Sequence, residues 1–303
     1  MRRCRTRIFA IFLIGFLAAR GAMRTDTLVI ATYNIENYCP ADRMTDAGYR
    51  GDYPKPESEK QALREVIRRI DADVLALQEM GPGPYLEELR RDLRAEGLDY
   101  AFCALAEAGD ASRHVALLSK RPLAGVLVHA DLEFSYRGGR ERVKRGLLEA
   151  RIMTAGGALT IFAVHLKSHL TEHPDDPEAA LRRAAEAAAV RDCILRRVAS
   201  PASARFVILG DFNDGRSSAA LARLQRRGAL TVAERLPATD SRGETWTEVW
   251  RRRDTYSQLD HILVSPGLRA AVRGGTARID DGPGVAEASD HRPVVAALTF
   301  PSP

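Results

Sequence analysis

Cysteine is scarce in this 303-residue chain: there are four, with no C-x-x-C pair. A disulfide scaffold and a cysteine-held zinc site are thereby excluded. Cys4 falls in the N-terminal leader, and Cys39, Cys103 and Cys193 read as free thiols. No internal repeat, low-complexity tract or Pro/Gly/Ser linker marks a domain boundary. No Asp or Glu precedes Asp26, whereas Arg2, Arg3, Arg5, Arg7 and Arg20 do. The formal charge of +5 therefore belongs to the first 22 residues, and the remainder balances 40 basic against 40 acidic side chains. No apolar run is long enough to span a bilayer. Ile8–Ala19 would extend about 18 Å as a helix, against roughly 30 Å of hydrocarbon.

That leader has a basic start (Met1–Arg7), an apolar middle and small residues at Ala19, Gly21 and Ala22. It reads as a signal peptide over 1–22, which predicts a secreted or periplasmic protein with no membrane span after cleavage. Met23 as a start codon gives the alternative, a cytoplasmic chain. The body over 23–303 is 45% hydrophobic and 28% charged by whole-chain composition, which excludes wholesale disorder and a multi-pass membrane protein.

Apolar strands alternate with amphipathic helices. Strands are predicted at Leu28–Tyr33, Val74–Leu77, Val115–Leu118, Leu147–Met153, Leu159–Leu166, Phe206–Leu209, Gln258–Val264 and Val294–Leu298. Leu63, Val66, Ile67 and Ile70 recur at helical spacing, placing a helix over Glu57–Ile70. Further helices are predicted at Tyr85–Leu93, Pro177–Val198 and Ser217–Arg227. The pattern implies an α/β (layered α+β) protein.

Four strands end on or beside Asn34, Glu79, His165 and Asp211, where rigid scaffold meets solvent. In Leu209-Gly210-Asp211-Phe212-Asn213, continued extension would point Asp211 and Asn213 the same way. A carboxylate and a carboxamide suit a hydrated divalent ion, or a phosphate oxygen and its attacking water. Asp260, in Leu259-Asp260-His261-Ile262, lies inside an apolar strand and needs a partner such as an imidazole. Ser289-Asp290-His291-Arg292-Pro293 supplies one, and a carboxylate-oriented histidine is a general base. Asn34-Ile35-Glu36 and Gln78-Glu79 place further acids and amides after strands, Glu79 with the character of a cation ligand. His165 and Lys167 fall on one side of an extended segment, where both would meet a phosphate. His165, His169 and His173 have the spacing of a helical zinc face, but they begin on a strand and run into Pro174, so His169 and His173 read as loop residues.

In this order the motifs N-I-E, Q-E, H-L-K-S, G-D-F-N, L-D-H-I-L-V-S and S-D-H-R-P-V resemble those of the endonuclease/exonuclease/phosphatase superfamily. These are metal-dependent phosphohydrolases related to pancreatic deoxyribonuclease. The resemblance covers Leu28 to Leu298 and implies one catalytic domain. It also implies a four-layer sandwich of two mainly antiparallel sheets flanked by helices, with the site at one end. It assigns Mg²⁺, with Mn²⁺ as a substitute, to Glu79 assisted by Asn34, Glu36 and Asp290. Asp211 and Asn213 would position water and phosphate, His291 with Asp260 would be the base, His165 would bond a phosphate oxygen or assist the leaving group, and Arg145 would face phosphate.

The P-x-W-C-D-R run of inositol polyphosphate phosphatases and the W-N-V/I-x-G-L run of abasic-site enzymes are absent. Two basic clusters, Arg137–Arg145 and Arg251–Arg253 beside Trp250, favour nucleic acid as the phosphodiester substrate. A monomeric nuclease is the leading expectation. A phosphodiesterase or phosphatase acting on phospholipid headgroups or small phosphate esters is the alternative. A non-catalytic module on the same fold ranks below both, because it needs no oriented base.

Overall fold

The computed structural model describes residues 25–45 and 47–301; the leader over 1–22 lies outside them. The strands of the two large sheets begin, in chain order, with β1 (Thr25–Tyr38), β2 (Val74–Met80), β3 (Phe102–Ala106), β4 (His114–Ser119), β5 (Leu123–His129), β6 (Leu147–Thr154) and β7 (Gly157–His165). They are followed by β8 (Phe206–Asp211), β9 (Glu234–Arg235), β10 (Ala238–Thr239), β11 (Asp260–Val264), β12 (Ala277–Ile279) and β13 (Val294–Pro301). One sheet has the order β10-β12-β13-β1-β2-β4-β3 and the other β9-β11-β8-β7-β6-β5. Pairing is antiparallel except at β1–β2, β7–β8 and the short β10–β12.

Three apolar layers hold the sandwich. Leu28, Ile30, Val74, Val115, Leu148, Ile161, Val207 and Ile262 fill the space between the sheets. The outer face of the first sheet (Tyr33, Leu75, Leu77) packs on α1 (Glu57–Ile70) and α2 (Gly83–Ala95). The outer face of the second (Phe162, Phe206, Ile208) packs on α3 (Ala180–Arg197) and α4 (Ala219–Gln225). The layers are helices, sheet, sheet, helices. Strands buried on both faces explain the unbroken apolar runs in the sequence.

Helix α1 turns Leu63, Val66, Ile67 and Ile70 inward, each contributing about 1.5–3 kcal/mol of burial. Glu57 and Glu59 occupy its first turn and Arg68 and Arg69 its last, complementing the helix dipole. Two expected helices are shorter than the sequence implied. Glu178 and Ala179 are left-handed, so Pro177 opens a separate 3-10 turn and α3 begins at Ala180. Ser218 caps α4 through the Leu221 amide, and Arg226–Arg227 already belong to a short strand. The edge strands β3 and β5 were not expected. Among the described residues Cys39, Cys103 and Cys193 are unpaired.

Candidate active site

The two long parallel pairs are each joined by a helical crossover, β1-α1-β2 and β7-α3-β8, so neighbouring strands end together. In register, Asn34 lies beside Gln78, His165 beside Asp211, and Asp211 beside Asp260. Asn34 Nδ2 donates to Asp211 Oδ2 at 3.0 Å, joining the two sheets. Gly210 permits the close approach of β7 and β8, because a Cβ there would lie 2.0 Å from the Val164 carbonyl oxygen.

Beyond Asp211 the chain does not stay extended. Asn213 is left-handed (φ 50°), and its amide donates to Asp211 Oδ1 at 2.7 Å. Its Nδ2 donates to Asp211 Oδ2 at 3.2 Å and to the Leu166 carbonyl at 3.0 Å. Asp211 and Asn213 therefore converge through a side-chain-capped turn, not through strand alternation.

Asp260 does find its imidazole: His291 Nδ1 lies 2.8 Å from Asp260 Oδ2. Thr247 Oγ1 accepts the Leu259 and Asp260 amides at 2.9 and 3.0 Å. Ser289 Oγ accepts the His291 amide and donates to the Asn34 carbonyl, so the last motif is fastened to the first. One donor atom from each of Asp211, Asp260 and His291 falls within 4.8 Å of the others. Burial opposes charge on His291, but Asp260, then Asp211 and Asp290, outweigh it and hold the imidazole well above its ordinary pKa. Burial, then Asp260, push Asp211 upward. His165 Nε2 lies 3.5 Å from Asp211 Oδ2. Burial, reinforced by Arg145, drives the His165 pKa down and keeps it neutral.

The expected metal ligands form a chain of contacts on the acidic side. Asn34 Oδ1 accepts the Glu36 amide at 3.1 Å, Glu36 Oε2 the Asp290 amide at 3.0 Å, and Glu79 Oε2 the Asn37 amide at 2.9 Å. Glu36, Asn37 and Glu79 are all left-handed, which turns these side chains off the strand alternation. Burial, then Asp290, raise the Glu36 pKa. Asn34, Glu36, Glu79 and Asp290 offer the hard oxygens and negative charge that suit an oxygen-ligated divalent cation, but they touch through backbone amides. Among the described residues it is Asp211, Asp260 and His291 whose ligand atoms close to within 4.8 Å of one another.

Asn34, Glu36, His165, Asp211, Asn213, Asp260, Asp290 and His291 are thus linked by direct contacts, and Glu79 joins through Asn37. Arg145 is buried, 3.2 Å from Asp110 Oδ2, and donates to the Leu166 carbonyl. Lys167 does not continue the strand as expected. The strand stops at His165, and Lys167 Nζ donates to the carbonyls of Ser168 and Leu170, while its charge still bears on His165. His169 contacts the Asn213 carbonyl, whereas His173 packs edge-on against Tyr136, so the three histidines share no face. Arg113 was missed by sequence reasoning: Asp110 Oδ1 holds its amide, its Nε donates to Asn37 Oδ1 at 2.5 Å, and its charge bears on His165. No motif marked it.

No curated protein matches the chain in sequence. Among solved structures, an endonuclease/exonuclease/phosphatase family protein from Leptotrichia buccalis C-1013-b is 15% identical with a TM-score of 0.63, covering 90% of this chain and 100% of that one. A double mutant of the beta toxin from Staphylococcus aureus, with bound magnesium ions, is 14% identical at TM-score 0.62, covering 89% and 98%. Sphingomyelinase C from Streptomyces griseocarneus is 15% identical at TM-score 0.58, covering 90% and 99%. These likenesses establish the fold. The model of the endonuclease/exonuclease/phosphatase family matches residues 31–291, most of the chain. The chain belongs to that family of metal-dependent phosphoric ester hydrolases.

Proposed function

We propose that this protein is an exported, monomeric Mg²⁺-dependent nuclease that hydrolyses phosphodiester bonds of DNA or RNA. The buried Asp260–His291 pair beside Asp211 is the observation that carries the reading. His291 Nδ1 is committed to Asp260, so Nε2 is the nitrogen that takes the proton of the attacking water. It does so in the neutral ring, the form that a bound cation beside these carboxylates would favour. Asp211 and Asn213 orient that water and the scissile phosphate. Neutral His165 donates to a phosphoryl oxygen, and Arg145 and Arg113 add positive charge where negative charge develops. When bound, Mg²⁺ held by Glu79, Asn34, Glu36 and Asp290 neutralises phosphoryl charge.

Nucleic acid is favoured by the hairpin Glu248–Trp250/Thr255–Ser257. It docks on the histidine segment: the Val249 amide donates to the Asp290 carbonyl at 2.9 Å and the Arg292 amide to Thr247 at 2.7 Å. Trp250 is 41% exposed, with the Arg253 guanidinium 4.4 Å from its ring centre, and Arg251 and Arg252 lie between them in the chain. Between this hairpin and residues 281–290 lies a cavity of about 390 Å³, lined by Trp246, Val249, Pro283, Ala286 and Asp290, with room for a base. The other basic cluster gives less support than its composition implied. Arg137, Arg140, Arg142, Lys144 and Arg145 each face a carboxylate, of Asp175, Glu133, Asp131 or Asp110.

A panel of plasmid DNA, RNA, sphingomyelin and phosphorylated small molecules, each with Mg²⁺, Mn²⁺ and chelator, tests the reading. Metal-dependent nucleic-acid cleavage is expected. Hydrolysis of sphingomyelin or small esters alone would assign the alternative substrate class. Replacing Arg251–Arg253 with alanine should flatten the salt dependence of single-strand binding by about 2 in log–log slope. Export predicts a processed chain outside the cytoplasm of the producing cell; an unprocessed cytoplasmic chain would favour the start at Met23.

A further inference from the structure

Two histidines outside the catalytic set grip the turn that carries Asp211 and Asn213. After Phe212 the chain leaves strand pairing, and the carbonyls of Asn213 and Asp214 need other donors. His169 Nε2 lies 2.7 Å from the Asn213 oxygen, and His261 Nε2 lies 2.9 Å from the Asp214 oxygen. A carbonyl can only accept, so each ring must carry its proton on Nε2. His261 is 2% exposed and packs against Phe212, with ring centres 5.4 Å apart. Burial lowers its pKa to about 4, which keeps it neutral. Arg183 closes the arrangement: Nε donates to Asp214 Oδ2 at 3.0 Å and Nη1 to the Lys167 carbonyl at 3.1 Å.

The three donors come from different elements: the segment after β7, strand β11 and helix α3. What they hold is a turn off the strand path. Asn213 is left-handed, a conformation asparagine adopts but regular strand does not. Relaxation of the turn toward extended backbone would swing its Nδ2 away from Asp211 and Leu166, and with it the Asp211 carboxylate that Asn213 braces.

We propose that His169 and His261 are positioning residues, which set the Asp211–Asn213 turn in its reactive shape through Nε2–H bonds to two carbonyls. This rests on Asp211 and Asn213 acting on the substrate, so one arm of the test is independent of activity. In ¹H–¹⁵N spectra of the wild-type protein, His261 should show an Nε2–H tautomer with slow solvent exchange. An Nδ1–H tautomer or rapid exchange would overturn the assignment whether or not any ester is hydrolysed.

In the kinetic arm, His261→Phe keeps the packing on Phe212 but removes the donor, and His169→Ala removes the other. With bis(p-nitrophenyl) phosphate and Mg²⁺, each should lower kcat about tenfold or more and change KM less than twofold. His169→Gln, whose amide can donate in place of Nε2, should recover most of the loss. Unchanged kcat in both alanine and phenylalanine variants, or equal losses in His169→Ala and His169→Gln, would sink the proposal. His169 is only partly buried, so its pair of variants decides the matter even where His261→Phe fails to fold.

Discussion

At the end of the sandwich remote from the site, Asp26 opens β1 and meets the Arg121 guanidinium through bonds of 3.0 and 2.8 Å. It also accepts the Ala155 amide at 3.0 Å. These partners, Arg121 foremost, hold its pKa below the usual carboxylate value. Partway along β6, burial would raise Glu149, but Arg197 and His129 outweigh it. At the site end Asp110 follows them, its burial outweighed by Arg145, but carboxylates that face other carboxylates do not. Asp211 and Glu36 are pushed up by burial and by neighbouring carboxylates, and Glu248, whose backbone bridges to His291, rises to about 7 chiefly through burial. Carboxylates paired with arginine are satisfied by the fold itself. Asp211 and Glu36 face other carboxylates, so the charges assigned to chemistry are the ones that oppose folding.

His291→Ala and Asp211→Asn put this contrast at greatest risk. Each should cut Mg²⁺-dependent hydrolysis by roughly 10²–10⁴-fold. Asp211→Asn should at the same time leave the metal-free melting temperature unchanged or raise it, because a carboxyl whose folded pKa is elevated costs stability above its unfolded pKa. A marked fall in that melting temperature would break the contrast between the two ends. Glu79→Gln comes next, and should need about tenfold or more Mg²⁺ for half-maximal rate. Calorimetric titration checks the same shift as binding.

The smallest effect belongs to the remote end. Asp26→Asn should lose about 1 kcal/mol of stability at pH 7 and no activity. Because the folded pKa of Asp26 is depressed, its contribution is complete above the unfolded value near about 3.9 and disappears as pH falls through the folded one. Denaturant titrations of variant and wild type should therefore converge in acid. A gap that persisted there would mean packing, not charge, is what Asp26 supplies.

The sequence made legible what depends on local pattern. Helix α1 was placed to the residue by its apolar spacing, and the strand ends holding Asn34, His165 and Asp211 were marked by apolar runs that stop on polar side chains. The Asp260–His291 pairing followed from the cost of burying an unpartnered carboxylate. What depends on tertiary contact was hidden. Asn213 reaches Asp211 through a left-handed turn that no periodicity signals, and Lys167 leaves the strand direction because pairing ends two residues earlier. Arg113, His169 and His261 act through contacts with residues far along the chain. Edge strands β3 and β5 escaped notice because they are short or half-exposed and lack the fully apolar stretch of central strands.

His291 stands just ahead of β13, the strand that lies between β12 and β1 in the first sheet. The segment that carries it is tied to residues read 255 positions earlier, since Ser289 donates to the Asn34 carbonyl, and β13 pairs along β1 from Thr25 to Thr32. A nascent chain that stops before Ser289 has Glu79, His165 and Asp211 but neither Asp290 nor His291, so the first of these motifs has no complete site to join until the last has been made.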